Sequence, residues 1–373
     1  MKDKFICPIP WISLSLGAQN SPRLCCHQDI KSSYPAMESR ELIELKHNTS
    51  YRDQMSRGEI PEECQHCLSL ERNNCNSPRL DYLKRFSFDP HSQITPLKYL
   101  DITIDNECNL ECIMCSPIYS HKLSRVFEGI FQMPPTSKWS SNLDIEEVIR
   151  ETPELEQVTI TGGEPLISSK SRSFIQKLTS HPNINNITLR IFTNFTLFDP
   201  VFMEELKQFK SIELILSIDS VKENYELMRF PSKWKTIINN VEKLKNYQHP
   251  HLDVHLHSVL TAVNWTSIGD LIKFYDKNLS GYNIIPVFVE IDSPLLHPRV
   301  LPKEQYQEGV NSIIHALESL APRNEIHIQQ IEDFKKLLVK IENQNYQDHY
   351  IDFQVYLKKI ISYRNKLKNG PQE

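Results

Sequence analysis

The sequence predicts an α/β fold in which parallel strands alternate with helices and curl into an open barrel. Two observations support this prediction. Short apolar segments rich in β-branched residues alternate with longer amphipathic segments from residue 98 to about residue 290. Connections of this kind between parallel strands are right-handed, which bends the sheet and gathers the chemistry at the C-terminal ends of the strands.

Six strands are predicted in this region, and each is a short apolar run. They cover 98–105, 157–161, 186–194, 213–219, 252–261 and 283–290. Helices are predicted between and after them, over 119–131, 144–151, 169–180, 199–208, 232–247 and 265–277. Three further helices, 303–320, 327–344 and 349–367, are expected to pack across the open side of the barrel. The charged residues of 303–373 are interpreted as a solvated helical surface.

The composition excludes several classes of protein. A chain of 373 residues with 39% hydrophobic content can bury one large core and smaller appended regions. Its formal net charge of -5 comes from 42 basic and 47 acidic residues, which disfavours a nucleic-acid partner. Apolar runs of roughly 18 to 20 residues, the length that crosses a membrane, do not occur. We therefore expect a cytoplasmic protein with no membrane or nucleic-acid partner.

Four regions are predicted: a cysteine-rich module at 1–80, a connector at 81–97, the barrel at 98–295 and a helical region at 296–373. Pro8 and Pro10 interrupt the opening apolar stretch, so we predict a strand there and not a secretory signal. All nine cysteines lie within the first 115 residues, in close groups. In a cytosolic protein this distribution favours metal ligation over disulfides.

Three cysteines follow the first predicted barrel strand. Cys108, Cys112 and Cys115 have C-x3-C-x2-C spacing. Three neighbouring thiolates can hold three irons of a 4Fe-4S cluster and leave the fourth iron open to another ligand. A zinc site, which would need a fourth ligand, and unligated core cysteines are the alternatives.

The next predicted strand ends in Gly162-Gly163-Glu164-Pro165. The glycines permit a close backbone approach, and Glu164 could hold a positively charged amine. Alone, this motif could equally be a strand-to-helix turn with an acidic first turn. Together, the cysteine loop and the GGEP motif resemble the radical S-adenosylmethionine (SAM) superfamily over residues 98–290.

That resemblance implies a fold, a cofactor and a reaction. The fold would be a partial (β/α)6 barrel, and the open iron would bind S-adenosylmethionine. One electron, expected from a flavodoxin or ferredoxin, would cleave this cosubstrate to a 5'-deoxyadenosyl radical that abstracts a hydrogen atom from the substrate. The resemblance makes Cys108, Cys112 and Cys115 the catalytic cluster ligands.

The resemblance also implies cosubstrate-binding residues, for each of which a capping or turn role is the alternative. Gly162, Gly163 and Glu164 would hold the methionyl amine, and the backbone of Met114 would lie beside the adenine. Ser217 and Asp219 would contact the carboxylate or ribose of the cosubstrate, and Arg229 would anchor its carboxylate. Asn194 is a further candidate.

The first eighty residues resemble the twitch/SPASM module, which carries an auxiliary iron-sulfur cluster. The resemblance implies a second 4Fe-4S cluster on Cys7, Cys25, Cys64 and Cys67, with Cys26 as a substitute for Cys25 and Asn20 at a hairpin position that is often glycine. Zinc on the same thiols, or with His27 or His66, is the alternative. Cys26 and Cys75 are then spare; either could return a hydrogen atom to a substrate radical, although an ordinary small buried residue is the simpler interpretation.

Three histidines alternate on the fifth predicted strand. His251, His255 and His257 share one face of the sheet, which could point into the barrel or away from it.

The function predicted from these motifs is radical modification of a peptide or peptide-like substrate by cross-linking, epimerisation or oxidation. Dehydrogenation or rearrangement of a sugar or other small metabolite is a second hypothesis. A noncatalytic iron-sulfur or zinc protein is a third.

Overall fold

The structure is a computed structural model that describes residues 5–23, 25, 50–92, 95–247, 251–279, 287–291, 293–321 and 324–369. Two of the candidate ligands, Cys26 and His27, lie outside the described residues. So does the first half of the last predicted strand.

One eight-stranded sheet forms the barrel, with strand order β2-β1-β3-β4-β5-β6-β7-β8. Seven of its strands pair in parallel, and β2 pairs antiparallel with β1. The strands are β1 Ser13–Leu16, β2 Pro22–Arg23, β3 Tyr99–Thr103, β4 Gln157–Thr161, β5 Thr188–Thr193, β6 Ser211–Ser217, β7 Leu252–Leu260 and β8 Val287–Glu290. The α/β fold with a curled, partial parallel barrel is therefore confirmed, and the six predicted barrel strands are β3 to β8.

The helices of the barrel and of the C-terminal region follow the predicted order, whereas the described helices of the N-terminal region were not predicted. In the N-terminal region they are α1 Ile9–Ile12, α2 Ser50–Ser56, α3 Gln65–Arg72 and α4 Pro78–Arg85. The barrel helices are α5 Leu123–Phe131, α6 Ile145–Glu151, α7 Ser169–Leu178, α8 Pro200–Glu205, α9 Lys222–Met228, α10 Trp234–Lys245 and α11 Ile268–Leu279. The C-terminal helices are α12 Lys303–Ser319, α13 Glu325–Glu342 and α14 Tyr350–Asn369. Of the described barrel helices, α9 alone was not predicted, and Val221, the residue before it, provides no side-chain cap that would mark its start.

Local sequence fixes where several of these helices begin. The side chain of Asp144 accepts hydrogen bonds from the N–H groups of Glu146 and Glu147 at the start of α6. Ser168 caps α7 through the N–H of Ser171, and Asp199 caps α8. Such side-chain caps satisfy N–H groups that have no partner within the helix.

The two faces of the sheet differ in polarity. Along β7, Leu252, Val254, Leu256 and Leu260 pack in the main hydrophobic core with the surrounding helices. The intervening residues point to the opposite face, which is the inside of the barrel. His255 and His257 therefore face inward, whereas His251 precedes the strand and is exposed.

The N-terminal ends of the strands are closed by an ionic network. Arg85, from α4, donates to Gln157 Oε1 at 2.6 Å and pairs with Glu213 at 3.3 Å. Glu213 also pairs with Arg190, with 2.6 Å between Nε and Oε2. Burial lowers the pKa of the neighbouring His255. These contacts link α4 to three neighbouring strands, β4, β5 and β6, at this end of the barrel.

The N-terminal region is continuous with the barrel. Ser13 of β1 pairs in parallel with Tyr99 of β3, so the strand expected at the opening of a separate module extends the main sheet instead. In the turn that follows β1, the left-handed residue is Gln19, with φ of 58°, and not Asn20. The boundaries 1–80, 81–97, 98–295 and 296–373 stay a prediction, and α4 crosses the first of them.

The C-terminal helices extend from one side of the barrel toward the other. Phe334 of α13 stacks on Phe288 of the edge strand β8, with 4.1 Å between ring centroids. Tyr356 of α14 stacks on Phe131 of α5 at 5.6 Å. In the part of the chain that the structure describes, no helix combines the length and apolarity needed to cross a membrane.

Candidate active site

The three cysteines of the triplet lie on one loop, residues 104–122, which we call the cluster loop. It connects β3 to α5 at the C-terminal end of the strands. Cys112 is 8% exposed, and Cys108 and Cys115 are half-buried. Internal hydrogen bonds shape the loop: the N–H of Cys115 donates to Cys112 O at 3.1 Å, and Ser120 Oγ donates to Leu110 O at 2.6 Å.

The cluster loop is held against the segment that follows α9. The N–H of Glu111 donates to Phe230 O at 2.6 Å, and the N–H of Ile113 donates to Met228 O at 2.9 Å. These two bonds lie on either side of Cys112 and place Arg229 next to its sulfur. Arg229 Nη1 is 3.9 Å from Cys112 Sγ.

Burial and mutual proximity make the three sulfurs strongly perturbed thiols. Burial, with a smaller contribution from the neighbouring thiols of the triplet, raises the pKa of Cys108, Cys112 and Cys115 to about 12. As free thiols these groups would stay neutral at pH 7. A thiolate at such a position needs a cation bound to it.

The triplet fits three ligands of an iron-sulfur cluster. Hydrogen-bond donors reach the sulfurs: the N–H of Leu110 is 3.4 Å from Cys108 Sγ, and Asn194 Nδ2 is 3.9 Å from the same atom. Such donors stabilise cluster sulfurs. Within the described residues no three Cys, His, Asp or Glu side chains are arranged to hold one metal ion. A 4Fe-4S cluster does not require that arrangement, because each thiolate binds a different iron.

The Gly162-Gly163 turn passes so close to the start of the cluster loop that only glycine fits. Gly162 has φ of 133°, and a Cβ on Gly163 would lie 2.2 Å from Glu107 O. The N–H of Gly163 donates to Asp105 O, and the N–H of Glu164 donates to Glu107 O, each at 2.8 Å. The two predicted motifs are therefore joined by backbone hydrogen bonds.

Glu164 lies buried beneath this junction, 1% exposed. Its Oε1 accepts from Thr193 Oγ1 at 2.6 Å and from the N–H of Leu166 at 3.1 Å. Its Oε2 accepts from the N–H of Asn194 at 2.5 Å. Burial raises the pKa of Glu164 to about 7, although these bonds and Arg229 oppose the shift. A carboxylate has about four acceptor positions, so one remains for a further donor such as an ammonium group.

Amide side chains connect the segment that follows β5 to the cluster loop. Asn194 Nδ2 donates to Asn109 Oδ1 at 2.9 Å, and Asn109 Nδ2 donates to Thr196 Oγ1 at 2.9 Å. The predicted residue Asn194 thus contacts both Glu164, through its backbone, and the cluster loop, through its side chain.

Asp219 and Arg229 form a buried ion pair at the end of β6. Arg229 Nε donates to Asp219 Oδ2 at 2.6 Å, and the N–H of Val259 donates to Oδ1 at 2.8 Å. Burial disfavours the charge of Arg229, but Asp219 and the Cys112 thiol raise its pKa. The carboxylate of Asp219, 0% exposed, orients Arg229 in this structure. Ser217 is half-buried on the inner face just before it.

His257 lies near the Asp219–Arg229 pair, and Met114 belongs to the cluster loop. The ring of His257 meets Phe192 edge-on, with 5.6 Å between centroids. Burial lowers the pKa of His257 to about 4, so this histidine is neutral at pH 7. Met114 packs against the small cluster of Ile113, Met228 and Ile360.

Comparison with protein families decides the class of this region. Residues 102–275 match the model of the Radical SAM superfamily. This part of the chain is a radical SAM domain. The prediction of a radical SAM enzyme is thereby confirmed at the level of its domain.

The curated relatives of the chain include several cyclases. It is 27% identical over 203 residues to a probable GTP 3',8-cyclase of Pyrococcus abyssi, which covers 53% of this chain and 58% of the relative. It is 27% identical over 156 residues to the GTP 3',8-cyclase of Desulforamulus reducens, covering 39% and 43%. The chain thus spans about half the length of these relatives.

Solved structures are similar over part of the fold. A structure of native anSMEcpe with bound AdoMet has 19% identity and a TM-score of 0.42, covering 59% of this chain and 60% of that chain. Streptococcus suis SuiB bound to its precursor peptide SuiA has 14% identity and a TM-score of 0.41, covering 75% and 61%.

A second group of thiols lies outside the radical SAM domain. Cys7, Cys25, Cys64 and Cys67 line one cavity, together with His66. Burial raises the pKa of Cys7 and of Cys64 to about 12, with Cys67 adding to both shifts.

An ionic network closes the same N-terminal region. Glu71 accepts from Ser77 Oγ at 2.5 Å and from Arg79 Nη2 at 2.6 Å, and Arg79 Nη1 donates to Ile6 O at 2.8 Å. Glu71, Ser77 and Arg79 belong to the segment 71–79, which follows Cys64 and Cys67 in the sequence.

Cys75 does not belong to this cavity. Burial raises its pKa, and its charged neighbours are Asp333, Lys336 and Lys340 of α13. The thiol of Cys75 therefore faces a C-terminal helix and not the cluster loop of the radical SAM domain.

Three residues near the triplet were not predicted. Asp105 is 3% exposed and accepts from the N–H of Glu107 at 2.8 Å and from Ser168 Oγ, so it anchors the start of the cluster loop. Its position just after a strand was the available signal. Tyr356 and Arg364 of α14 contact the cluster loop from the far end of the sequence, and no local pattern indicates that contact.

Proposed function

We propose that this protein is an enzyme that uses a 4Fe-4S cluster and S-adenosylmethionine to abstract a hydrogen atom from an organic substrate. The strongest support is the connection between its two motifs. The backbone of the Gly163-Glu164 turn donates two hydrogen bonds to the carbonyls of Asp105 and Glu107, immediately before Cys108. A metal site with an open position and a buried carboxylate are thereby fixed relative to each other.

Each side chain has a separate task in this proposal. Cys108, Cys112 and Cys115 would hold the cluster, and Glu164 would accept a hydrogen bond from the methionyl amine. Bound together, the cluster and S-adenosylmethionine supply a 5'-deoxyadenosyl radical that removes the hydrogen atom. The residues around them bind, orient and exclude water.

The other residues predicted from the sequence to bind the cosubstrate lie at the same end of the sheet. Asn194, Ser217 and Arg229 lie at the ends of β5 and β6, where they could contact the cosubstrate, and the backbone of Met114 could lie beside the adenine. Asp219 acts in this proposal by orienting Arg229, because both its oxygens already accept hydrogen bonds within the protein.

The proposed substrate is a peptide or peptide-like molecule. The support is the resemblance of the N-terminal cysteines to auxiliary-cluster modules and the gathering of four of them around one cavity. Cys7, Cys25, Cys64 and Cys67 would hold a second 4Fe-4S cluster, and zinc on three thiols and His66 is the competing occupant.

A nucleotide or other small metabolite is the second candidate substrate. The observation that favours it is the similarity to GTP 3',8-cyclases, at 27% identity over 203 residues. That similarity concerns about half of those proteins' length.

Cosubstrate cleavage provides the first test. The protein is reconstituted anaerobically with iron and sulfide, given S-adenosylmethionine and dithionite, and assayed for 5'-deoxyadenosine. We expect product from the wild type and from Cys75→Ser, and none from Cys112→Ala. A wild type that binds no cluster, or a Cys112→Ala protein as active as the wild type, would leave the noncatalytic iron-sulfur or zinc protein as the remaining interpretation.

Metal analysis tests the second site. We expect about eight irons per chain in the wild type and about four in Cys64→Ala. The Cys75→Ser protein, which changes a buried cysteine outside both sites, should match the wild type. About four irons in all three proteins, or zinc in place of the second set, refutes the auxiliary cluster.

Substrate class can be tested by the same product assay. A bound substrate commonly accelerates cosubstrate cleavage, so 5'-deoxyadenosine formation is compared with no addition, with GTP and with a set of short synthetic peptides. Acceleration by GTP alone would replace the peptide proposal with the second candidate.

A further inference from the structure

The last helix of the chain contacts the cluster loop directly. Tyr356 OH donates to Ile113 O at 2.7 Å, and Arg364 Nη2 donates to Glu111 O. These two carbonyls belong to the residues on either side of Cys112. Both donors come from α14, which lies outside the matched domain of residues 102–275.

One face of α14 makes all of this contact. Tyr356, Ile360 and Arg364 are spaced four residues apart, which places them on the same side of a helix. Ile360, 2% exposed, packs with Ile113 and Met228. Arg364 Nη1 also donates to Leu227 O at 2.6 Å, so this one guanidinium joins the cluster loop to α9.

Arg364 is a buried cation without a carboxylate partner. It is 4% exposed, and none of the described carboxylates lies within 4.0 Å of its nitrogens to form an ion pair. Its guanidinium lies over the ring of Phe230, 4.8 Å from the centroid. Burying a charge that has no ion-pair partner within hydrogen-bond distance is costly, so a further negative group near this guanidinium would stabilise it.

The comparison with Arg229 indicates which group that is. Both arginines face Cys112, but the charge of Arg229 is balanced by Asp219 at 2.6 Å. The negative groups that act on Arg364 are the carboxylate of Glu111, which has the larger effect, and the Cys112 sulfur. A cluster held by three thiolates is anionic, and it becomes more so when it accepts an electron.

We infer that α14 is part of the cluster site: Tyr356 and Arg364 position the cluster loop, and the charge of Arg364 raises the reduction potential of the cluster. The inference rests on the proposed function, since it requires a cluster on the triplet. Both residues are positioning residues, because their hydrogen bonds reach the backbone of the loop and not the irons.

The test measures the midpoint potential of the triplet cluster by a redox titration followed by electron paramagnetic resonance. Cys64→Ala serves as the common background, so that only one cluster is observed. Arg364→Gln should lower the potential by about 59 mV, equivalent to a tenfold change in the ratio of reduced to oxidised cluster. Arg364→Lys keeps the charge and should stay close to the parent protein. Lys359→Gln removes an exposed charge from the same helix and should have no effect.

Positioning is tested by the rate at which a chelator removes iron from the oxidised protein. Arg364→Lys and Tyr356→Phe weaken the contacts to Glu111 and Ile113 and should release iron several-fold faster than Lys359→Gln. Equal release rates would overturn the positioning role, and an unchanged potential in Arg364→Gln would overturn the electrostatic one. If Arg364→Gln retains no iron, iron retention in Arg364→Lys supports the role of the charge, and loss of iron from both variants contradicts it.

The outcomes for the parent protein separate this inference from the proposed function. A parent protein that binds no cluster contradicts the proposed function. A parent protein with a normal cluster, together with variants that match Lys359→Gln in both measurements, contradicts the role of α14 alone.

Discussion

Glu164 combines full burial with a carboxyl group that has three hydrogen-bond donors and no adjacent ion pair. The cation that acts on Glu164, Arg229, already forms an ion pair with Asp219. With a pKa of about 7, this buried carboxyl is about half ionised at pH 7, and a second cation would favour its charged form. The sequence predicted an amine-binding role for Glu164 but could not show that Thr193, Leu166 and Asn194 already donate to its oxygens.

Replacing Glu164 by Gln should weaken binding of S-adenosylmethionine by roughly tenfold or more, because a charge-assisted hydrogen bond is lost. Binding to the reconstituted protein can be measured by calorimetry. Glu128→Gln, which alters an exposed carboxylate on α5, is the control. Equal affinity of the Glu164→Gln and wild-type proteins would remove Glu164 from the site.

The pKa of Glu164 also predicts a pH dependence. Burial raises this pKa to about 7, so the carboxyl is protonated below that pH and charged above it. A bound ammonium prefers the charged form, and affinity for S-adenosylmethionine should rise as the pH increases from 6 to 8. Glu164→Gln should show a flatter profile over the same range. A wild-type affinity that falls with increasing pH contradicts this assignment.

Among the elements, the barrel strands were the easiest to predict and their contacts the hardest. Residues 157–161 were predicted as a strand and are β4, because alternating apolar residues and a following glycine pair define it locally. The pairing of β1 with β3 was not predicted, since a four-residue strand gives little local signal. The contact of α14 with the cluster loop was also missed, because helical periodicity indicates an apolar face but not which part of the protein covers it.

One prediction about the C-terminal helices was wrong in part. Their charged residues were interpreted as a solvated surface, but Arg364 is 4% exposed and Lys340 pairs with Glu290 at 2.6 Å. Both side chains reach partners on distant elements. Helical periodicity placed these helices well and could not identify which charges turn inward.

The turn between β4 and α7 leads to a prediction about stability. Gly163→Ala would place a Cβ 2.2 Å from a backbone oxygen that cannot move away independently. We expect the free energy of unfolding of the apoprotein to fall by about 2 kcal/mol or more. Gly129→Ala is the matched control, because its Cβ would meet only the side chain of Tyr363, at 3.2 Å. Urea unfolding measures both, and equal effects would contradict the close-approach argument.

At the scale of the whole molecule, segments from both ends of the chain complete the barrel domain. The N-terminal residues extend the sheet on one side, and the C-terminal helices cover the edge strand on the other. Glu290 of β8 is central to the second attachment, because its carboxylate contacts His297 Nε2 at 3.1 Å and Lys340 Nζ at 2.6 Å. Despite burial, which acts in the opposite direction, these bonds lower the pKa of Glu290 to about 2.

Glu290→Gln should therefore reduce the free energy of unfolding by about 1–3 kcal/mol at pH 7. A lowered folded-state pKa stabilises above the unfolded value of about 4.5, and this contribution is lost as the pH falls through the folded value of about 2. The difference between the wild type and Glu290→Gln should shrink at pH 3. Glu308→Gln, on an exposed part of α12, is the control for urea unfolding at both pH values. A difference that is the same at pH 7 and pH 3 would exclude the charge as its source.

The parallel pairing of β1 with β3 has a consequence for how the protein is made. During synthesis the N-terminal thiols leave the ribosome before Tyr99. Tyr99 belongs to β3, the strand that pairs with β1. Contacts between such distant parts of a chain form late in folding. Because Cys7 and Ile9, which line the N-terminal cavity, pack with Tyr99 in one hydrophobic cluster, we expect the walls of the cavity to be completed only once β3 has been made.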